Sequence, residues 1–128
     1  INIPQSILPN CIDELPIHAV AMSFAEGISV ISGAEELRHK ETDRIMAISE
    51  MLKAAGVSFE EKEDGVEIHG NPDFSFDSAT FKSFHDHRIA MASAILSLKG
   101  DSSSEILDAE CAAVSYPGFW DDLLALYL

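Results

Sequence analysis

The chain has 128 residues, 47% hydrophobic and 23% charged, with 22 acids against 8 Lys and Arg and a formal net charge of -14 at pH 7. That length and balance suit one globular domain with a real core, and the acidity argues against nucleic acid as a partner, because phosphate binding needs basic surface. The longest helical apolar stretch, Ile89 to Leu98, is broken by Ser93 and Ser97, well short of the roughly 18 residues a membrane helix needs, so no membrane role is expected.

Ile1-Asn2-Ile3-Pro4 has neither a starting Met nor the pattern of a signal peptide and reads as an interior cut. Residues 1–11, with Pro4, Pro9 and Asn10, read as an entry loop or short edge strand. Asp13 stands at a helix cap, Pro16 in the first turn and Gly27 past the end, which predicts a helix over Glu14 to Glu26 with Ile17, Val20, Ala21 and Phe24 on its apolar face. Ile28 to Ser32 alternates as a strand ending at Gly33. A second helix is predicted from Lys40 to Ala55, stopped by Gly56, with Ile45, Ile48 and Leu52 facing inward. Val57 to Glu61 and Val66 to His69 flank Asp64-Gly65, a hairpin signal.

Phe74 to Phe76 and Thr80 to Phe84 read as short strands, Asp86 to Leu98 as a helix apolar on most sides, and Ser104 to Leu107 as a strand. A last helix follows Pro117 through Trp120, Leu123, Leu124 and Tyr127. Both halves pair a helix, a short strand and a further helix, so the fold class is α/β (α+β), with helices packed on small mixed sheets. Cys11 and Cys111 read as free thiols, and the close pair His85 and His87 lacks neighbours to complete a zinc tetrad.

Charge is distributed unevenly. Arg38, Lys40 and Arg44 fall within seven positions, and with Arg88 they make four of the eight basic residues. At a helix start, where partial positive charge and unpaired amides usually recruit acids, such a cluster calls for an anionic partner. Lys40 and Arg44 at i, i+4, with Glu41 between them, bring an ammonium, a carboxylate and a guanidinium to one region, which is how a protein holds a phosphate or carboxylate beside an acid or base. The bland reading is a surface ion-pair set worth roughly 1 kcal/mol or less per pair.

Three motifs decide between these. Leu37-Arg38-His39-Lys40-Glu41-Thr42-Asp43-Arg44, Asp86-His87-Arg88-Ile89-Ala90-Met91 and Ser115-Tyr116-Pro117-Gly118-Phe119, in that order, resemble the C-terminal part of the 5-enolpyruvylshikimate-3-phosphate synthase family, over essentially the whole chain. The resemblance implies an inverse α/β barrel of repeated βαβαββ units with four-stranded sheets. About two of three units would be present, one at roughly 1–72 and a truncated one at 73–128. It implies transfer of the enolpyruvyl group of phosphoenolpyruvate to the 5-hydroxyl of shikimate 3-phosphate, without a cofactor or metal, in the cytoplasm. Asp13 and Glu41 match the proton-handling carboxylates, Lys40 a substrate-contacting and proton-transferring lysine, Arg44 and Arg88 the carboxylate clamp, and His87 its neighbour in the motif. Val114 stands where many members carry a phosphate-binding lysine, and Glu36 where some carry an amide.

The implied partner is an N-terminal domain of the same enzyme. Without it the fragment is expected to be inactive, and exposed apolar helix surface is expected to lead to partial disorder or self-association. The alternatives are a UDP-N-acetylglucosamine enolpyruvyl transferase, whose motifs fit less well, and a non-catalytic anion-binding domain of the same fold.

Overall fold

The turn at Asp64-Gly65 forms where the sequence predicts it, and the first sheet grows from it. In the computed structural model, which describes residues 1–126, β2 (Ser58–Lys62) pairs antiparallel with β3 (Gly65–Gly70), placing Lys62 opposite Gly65. The other edge of β3 pairs antiparallel with β1 (Gly27–Ile31), giving the order β1-β3-β2. Asn2 adds a single parallel bridge to Val30 on the outer edge of β1. The second sheet is β4 (Thr80–Lys82) parallel to β5 (Glu105–Leu107), extended by one parallel bridge between Phe76 and Gly100. The four-stranded sheets expected from the sequence are therefore three strands plus a bridge, and two strands plus a bridge, among the described residues.

Helices α1 (Leu8–Cys11), α2 (Leu15–Ser23), α3 (Arg44–Ala55), α4 (His87–Ser97) and α5 (Phe119–Ala125) complete the regular structure, with 3-10 turns at Ile12–Glu14, Glu35–His39 and Ala109–Val114. Each half runs strand or bridge, helix, parallel strand, helix: Asn2, α2, β1, α3 and then β4, α4, β5, α5. Tyr127, expected on the apolar face of the last helix, lies outside the described residues.

Several boundaries differ from expectation for local reasons. The second helix begins at Arg44, not Lys40, because the Asp43 carboxylate accepts the Met46 N–H as an N-cap. Lys40 and Arg44 therefore do not share a helix face. That helix ends as expected, with Gly56 in the left-handed region at φ 82° and its N–H reaching the carbonyls of Leu52 and Lys53. Asp13 caps nothing: it lies in a 3-10 turn with no side-chain cap bond, and its carboxylate is taken by distant cations. The expected entry loop contains α1, where Pro9 sits in the first turn. Phe74 to Phe76 makes no strand beyond its one bridge, and the Thr80 strand stops at Lys82, because Phe84 and His85 both have positive φ (55° and 56°) and turn the chain toward α4.

The core joins Leu15 and Met22 of α2, Ile45, Ile48 and Leu52 of α3, Ile31 and Ile68 of the first sheet, Phe81 of β4 and Ile89 of α4. Helix α2 is apolar on two sides. Leu15, Ala19 and Met22 are buried; of the face predicted to pack, Val20 is buried and Phe24 packs on the core, while Ile17 and Ala21 are exposed, and the four line an open groove shared with Ile95, Leu98 and Lys99 of the α4 region. Ile17 is 39% and Leu98 41% exposed at this groove, whereas Ile89, Ala90, Ala92, Ser93, Ala94 and Leu96 bury α4 on most sides, as its apolar pattern predicts.

Candidate active site

The N-terminal ends of α3 and α4 meet where Arg44, first residue of α3, extends toward Asp86, the cap of α4. Arg44 is 1% exposed and Asp86 0%. A buried guanidinium demands partners for its donors, and these are present. Nε donates to Asp86 Oδ2 at 2.8 Å and Nη2 to Asp86 Oδ1 at 3.3 Å; Nη1 donates to Asp13 Oδ1 at 2.9 Å, and Nη2 also to Glu41 Oε2 at 2.7 Å. Asp86 additionally accepts the Arg88 N–H at 2.9 Å, so one carboxylate starts a helix and orients an arginine of another.

Around this hub the remaining charges pair in turn. Lys40 Nζ lies 3.4 Å from Asp13 Oδ1 and 3.6 Å from Glu36 Oε1, and Arg88 Nη1 donates to Glu14 Oε1 at 3.0 Å. His87 faces Glu41 Oε1 at 3.5 Å with Nε2 and pairs with the Ser115 hydroxyl through Nδ1. The structure thus brings together all six residues singled out by sequence, Asp13, Lys40, Glu41, Arg44, His87 and Arg88. It adds Asp86, the first residue of the second motif, and the partners Glu14 and Ser115. Glu14 follows Asp13 directly and Ser115 opens the third motif; no spacing rule marks them.

The electrostatics follow from the pairing. Burial pushes the Asp13 carboxyl up, but Lys40, Arg44 and Arg88 outweigh it and hold it below its ordinary value. The Glu41 carboxyl is likewise held low, first by its own backbone N–H, against burial, and then by Arg44 and His87. Burial opposes the charge on Arg44, and Asp86, Glu41 and Asp13 overcome it, raising the guanidinium above its usual value. Every cation here faces a carboxylate, so an anionic ligand must displace internal acids. Glu41, Asp86 and His87 place candidate ligand atoms within 4.8 Å of one another, but both carboxylates already bond to Arg44, and their positive partner is a guanidinium. Beside the site, Asp13, Glu14, Arg88, Met91 and Phe119 border a hollow of about 190 Å³ that runs into the α2–α4 groove.

Small mixed sheets carrying packed helices, with motif residues gathered at helix N-termini, define an α/β fold of the enolpyruvyl-transferase type. The family model for EPSP synthase (3-phosphoshikimate 1-carboxyvinyltransferase) matches residues 2–123, and the chain belongs to that family. It is 47% identical over 124 residues to the 3-phosphoshikimate 1-carboxyvinyltransferase of Aquifex aeolicus and 49% identical over 124 residues to that of Salinibacter ruber. These alignments cover 97% and 96% of the chain but 28% of each relative, so the chain spans a little over a quarter of their length. An EPSP synthase structure from Acinetobacter baumannii superposes with a TM-score of 0.88 at 37% identity, over 94% of this chain and 28% of that one. No helix among the described residues is long and apolar enough to cross a membrane.

Proposed function

We propose that this chain supplies one wall of a 3-phosphoshikimate 1-carboxyvinyltransferase site, in a cytoplasmic enzyme whose other wall is an N-terminal domain. The observation that carries the reading is the hub at Arg44, which bonds two accessible carboxylates, Glu41 and Asp13; Asp13 also pairs with Lys40 and borders a hollow together with Arg88. Arg88, a third exposed, binds the phosphoenolpyruvate carboxylate bidentately on releasing Glu14. Arg44 joins the clamp as Glu41 or Asp13 yields its contact.

In this scheme the shikimate 5-hydroxyl attacks the central carbon of phosphoenolpyruvate. Its proton passes to Asp13, whose low carboxyl is ionised and ready as a base. The methylene carbon takes a proton from Glu41 or Lys40 to give a methyl group. Returning that methyl proton to the same residue restores the double bond and expels phosphate, which takes up the proton held on Asp13. A carboxyl held low is a poor donor, so Glu41 becomes an acid only when substrate displaces it from Arg44, one of the groups that lower it. Binding would then prime the catalytic acid. His87, between Ser115 and Glu41, orients that carboxylate.

The chain comprises two of the fold's repeated units in this reading, roughly 1–72 and 73–128, and the α2–α4 groove is where further polypeptide packs. The test is to mix the chain with the N-terminal part of a relative and assay phosphate release from phosphoenolpyruvate. Release should require both parts and shikimate 3-phosphate, and Glu41→Gln should lower it by at least about a hundredfold. Release that is insensitive to Glu41→Gln overturns the assignment.

A further inference from the structure

Lys40, Glu41 and Thr42 lie in neither helix nor strand, between the 3-10 turn Glu35–His39 and the cap Asp43. Two groups that must be placed to within a fraction of an ångström therefore sit on irregular chain, and something outside the segment has to fix its ends.

Arg38 does this on both sides. Its Nε donates to the Glu63 carbonyl at 2.9 Å and its Nη2 to the Lys62 carbonyl at 2.8 Å, while Nη1 reaches Glu61 Oε1 at 3.1 Å. The same Nη1 donates to Asp43 Oδ2 at 2.9 Å, and the other oxygen of Asp43 caps α3 through Met46. One planar fork thus ties the β2–β3 turn to the start of α3 and closes the chain around residues 39–42. The turn is a firm anchor. Asp64 accepts Gly33 N–H on its carboxylate at 2.7 Å and Ala34 N–H on its carbonyl at 2.8 Å. A Cβ at Gly65 would fall 1.9 Å from the Ile31 carbonyl oxygen, so turn and β1 are in direct backbone contact. Arg38 bonds to none of Asp13, Glu41, Arg44 or His87 and reaches the site only through the chain it holds.

We propose that Arg38 is a positioning residue: by joining the β2–β3 turn to the cap of α3, it fixes the Lys40–Glu41 segment against Asp13, Arg44 and His87. This rests on the proposed roles of Lys40 and Glu41, but its test needs no substrate.

The experiment is a carboxyl-carbon NMR titration of the full chain, wild type and Arg38→Lys. Glu41 faces Arg44, His87 and Asp86, and Asp13 faces Lys40, Arg44 and Arg88. Both should titrate below ordinary carboxyls in the wild type. Lysine keeps the charge but cannot make the forked set of bonds, so in Arg38→Lys both titrations should move up as the segment loosens, while Glu60, paired with Lys62, stays put. Asp43→Asn serves if Arg38→Lys does not fold, since Asn still caps a helix. Removing a negative charge would by itself move the Glu41 titration down, so a rise in that variant reports geometry. Unchanged titrations in a folded variant overturn the proposal. If the titrations move but the mixed-part assay is silent, the positioning stands and the transferase reading fails.

Discussion

Replacing Arg44 with Ala should be among the most damaging single changes in the chain, and its cost is set by which acid is left behind. Asp13 and Glu41 have side chains 44% and 53% exposed, so water takes over their lost contacts at little expense. Asp86 is 0% exposed and loses two bonds, keeping only the Arg88 N–H. Breaking a buried pair by removing one partner costs about 3–5 kcal/mol, and the surviving N–H bond puts the value near the lower end, about 3 kcal/mol. For a domain of this size that is a fall in Tm of roughly 10 °C. Urea denaturation followed by circular dichroism measures it. Asp86→Ala should cost a similar amount, and the double variant much less than the sum, with a coupling of about 2 kcal/mol or more because the two share one interaction. A loss below about 1 kcal/mol for Arg44→Ala, or additive single changes, would show that the hub is not an interlocked unit.

Three further outcomes follow from the same geometry. Asp13 and Glu41, lowered from ordinary values of 3.8 and 4.5, contribute stability that is fully present above about pH 5. It is lost as pH falls through their folded values, so denaturation midpoints should drop on acidification below pH 4.5, and less so in an Asp13→Asn/Glu41→Gln variant. Gly65→Ala forces a methyl to 1.9 Å from the Ile31 oxygen and should cost about 2–3 kcal/mol by urea titration; a neutral result would contradict the close approach. Sedimentation velocity should show concentration-dependent self-association through the α2–α4 groove, and Ile17→Asp/Leu98→Asp should suppress it.

Where local chemistry decided the structure, it was legible in advance. Asp64-Gly65 places the hairpin, Gly56 ends α3, and the helix expected from Asp86 starts at its cap there. Where a long-range partner competed, the local reading failed. Asp13 looks like a cap, but its carboxylate bonds Arg44, 31 residues on, because a charged partner outbids a neutral amide. The basic cluster suggested a helix from Lys40, yet Asp43 is the better cap, and the residues before it are held by Arg38 instead. The apolar face of α2 was legible, but periodicity cannot say that Val20 and Phe24 on it pack within the chain while Ile17 and Ala21 stay exposed. The six site residues do converge, though identified by resemblance. Periodicity could not have found Glu14 or Ser115, whose partners lie 74 and 28 residues away.

In the proposed function, Arg88, Arg44 and their carboxylates form one wall of the phosphoenolpyruvate and shikimate 3-phosphate site. The most direct measurement is an NMR titration of the chain with both compounds, following amides from Glu36 to Arg44 and around Arg88. Weak, saturable shifts are expected, confined to Asp13 and those two motifs, strengthened when both ligands are present and abolished in Arg88→Ala. Saturable shifts located elsewhere, or shifts at the motifs that survive Arg88→Ala unchanged, would contradict it.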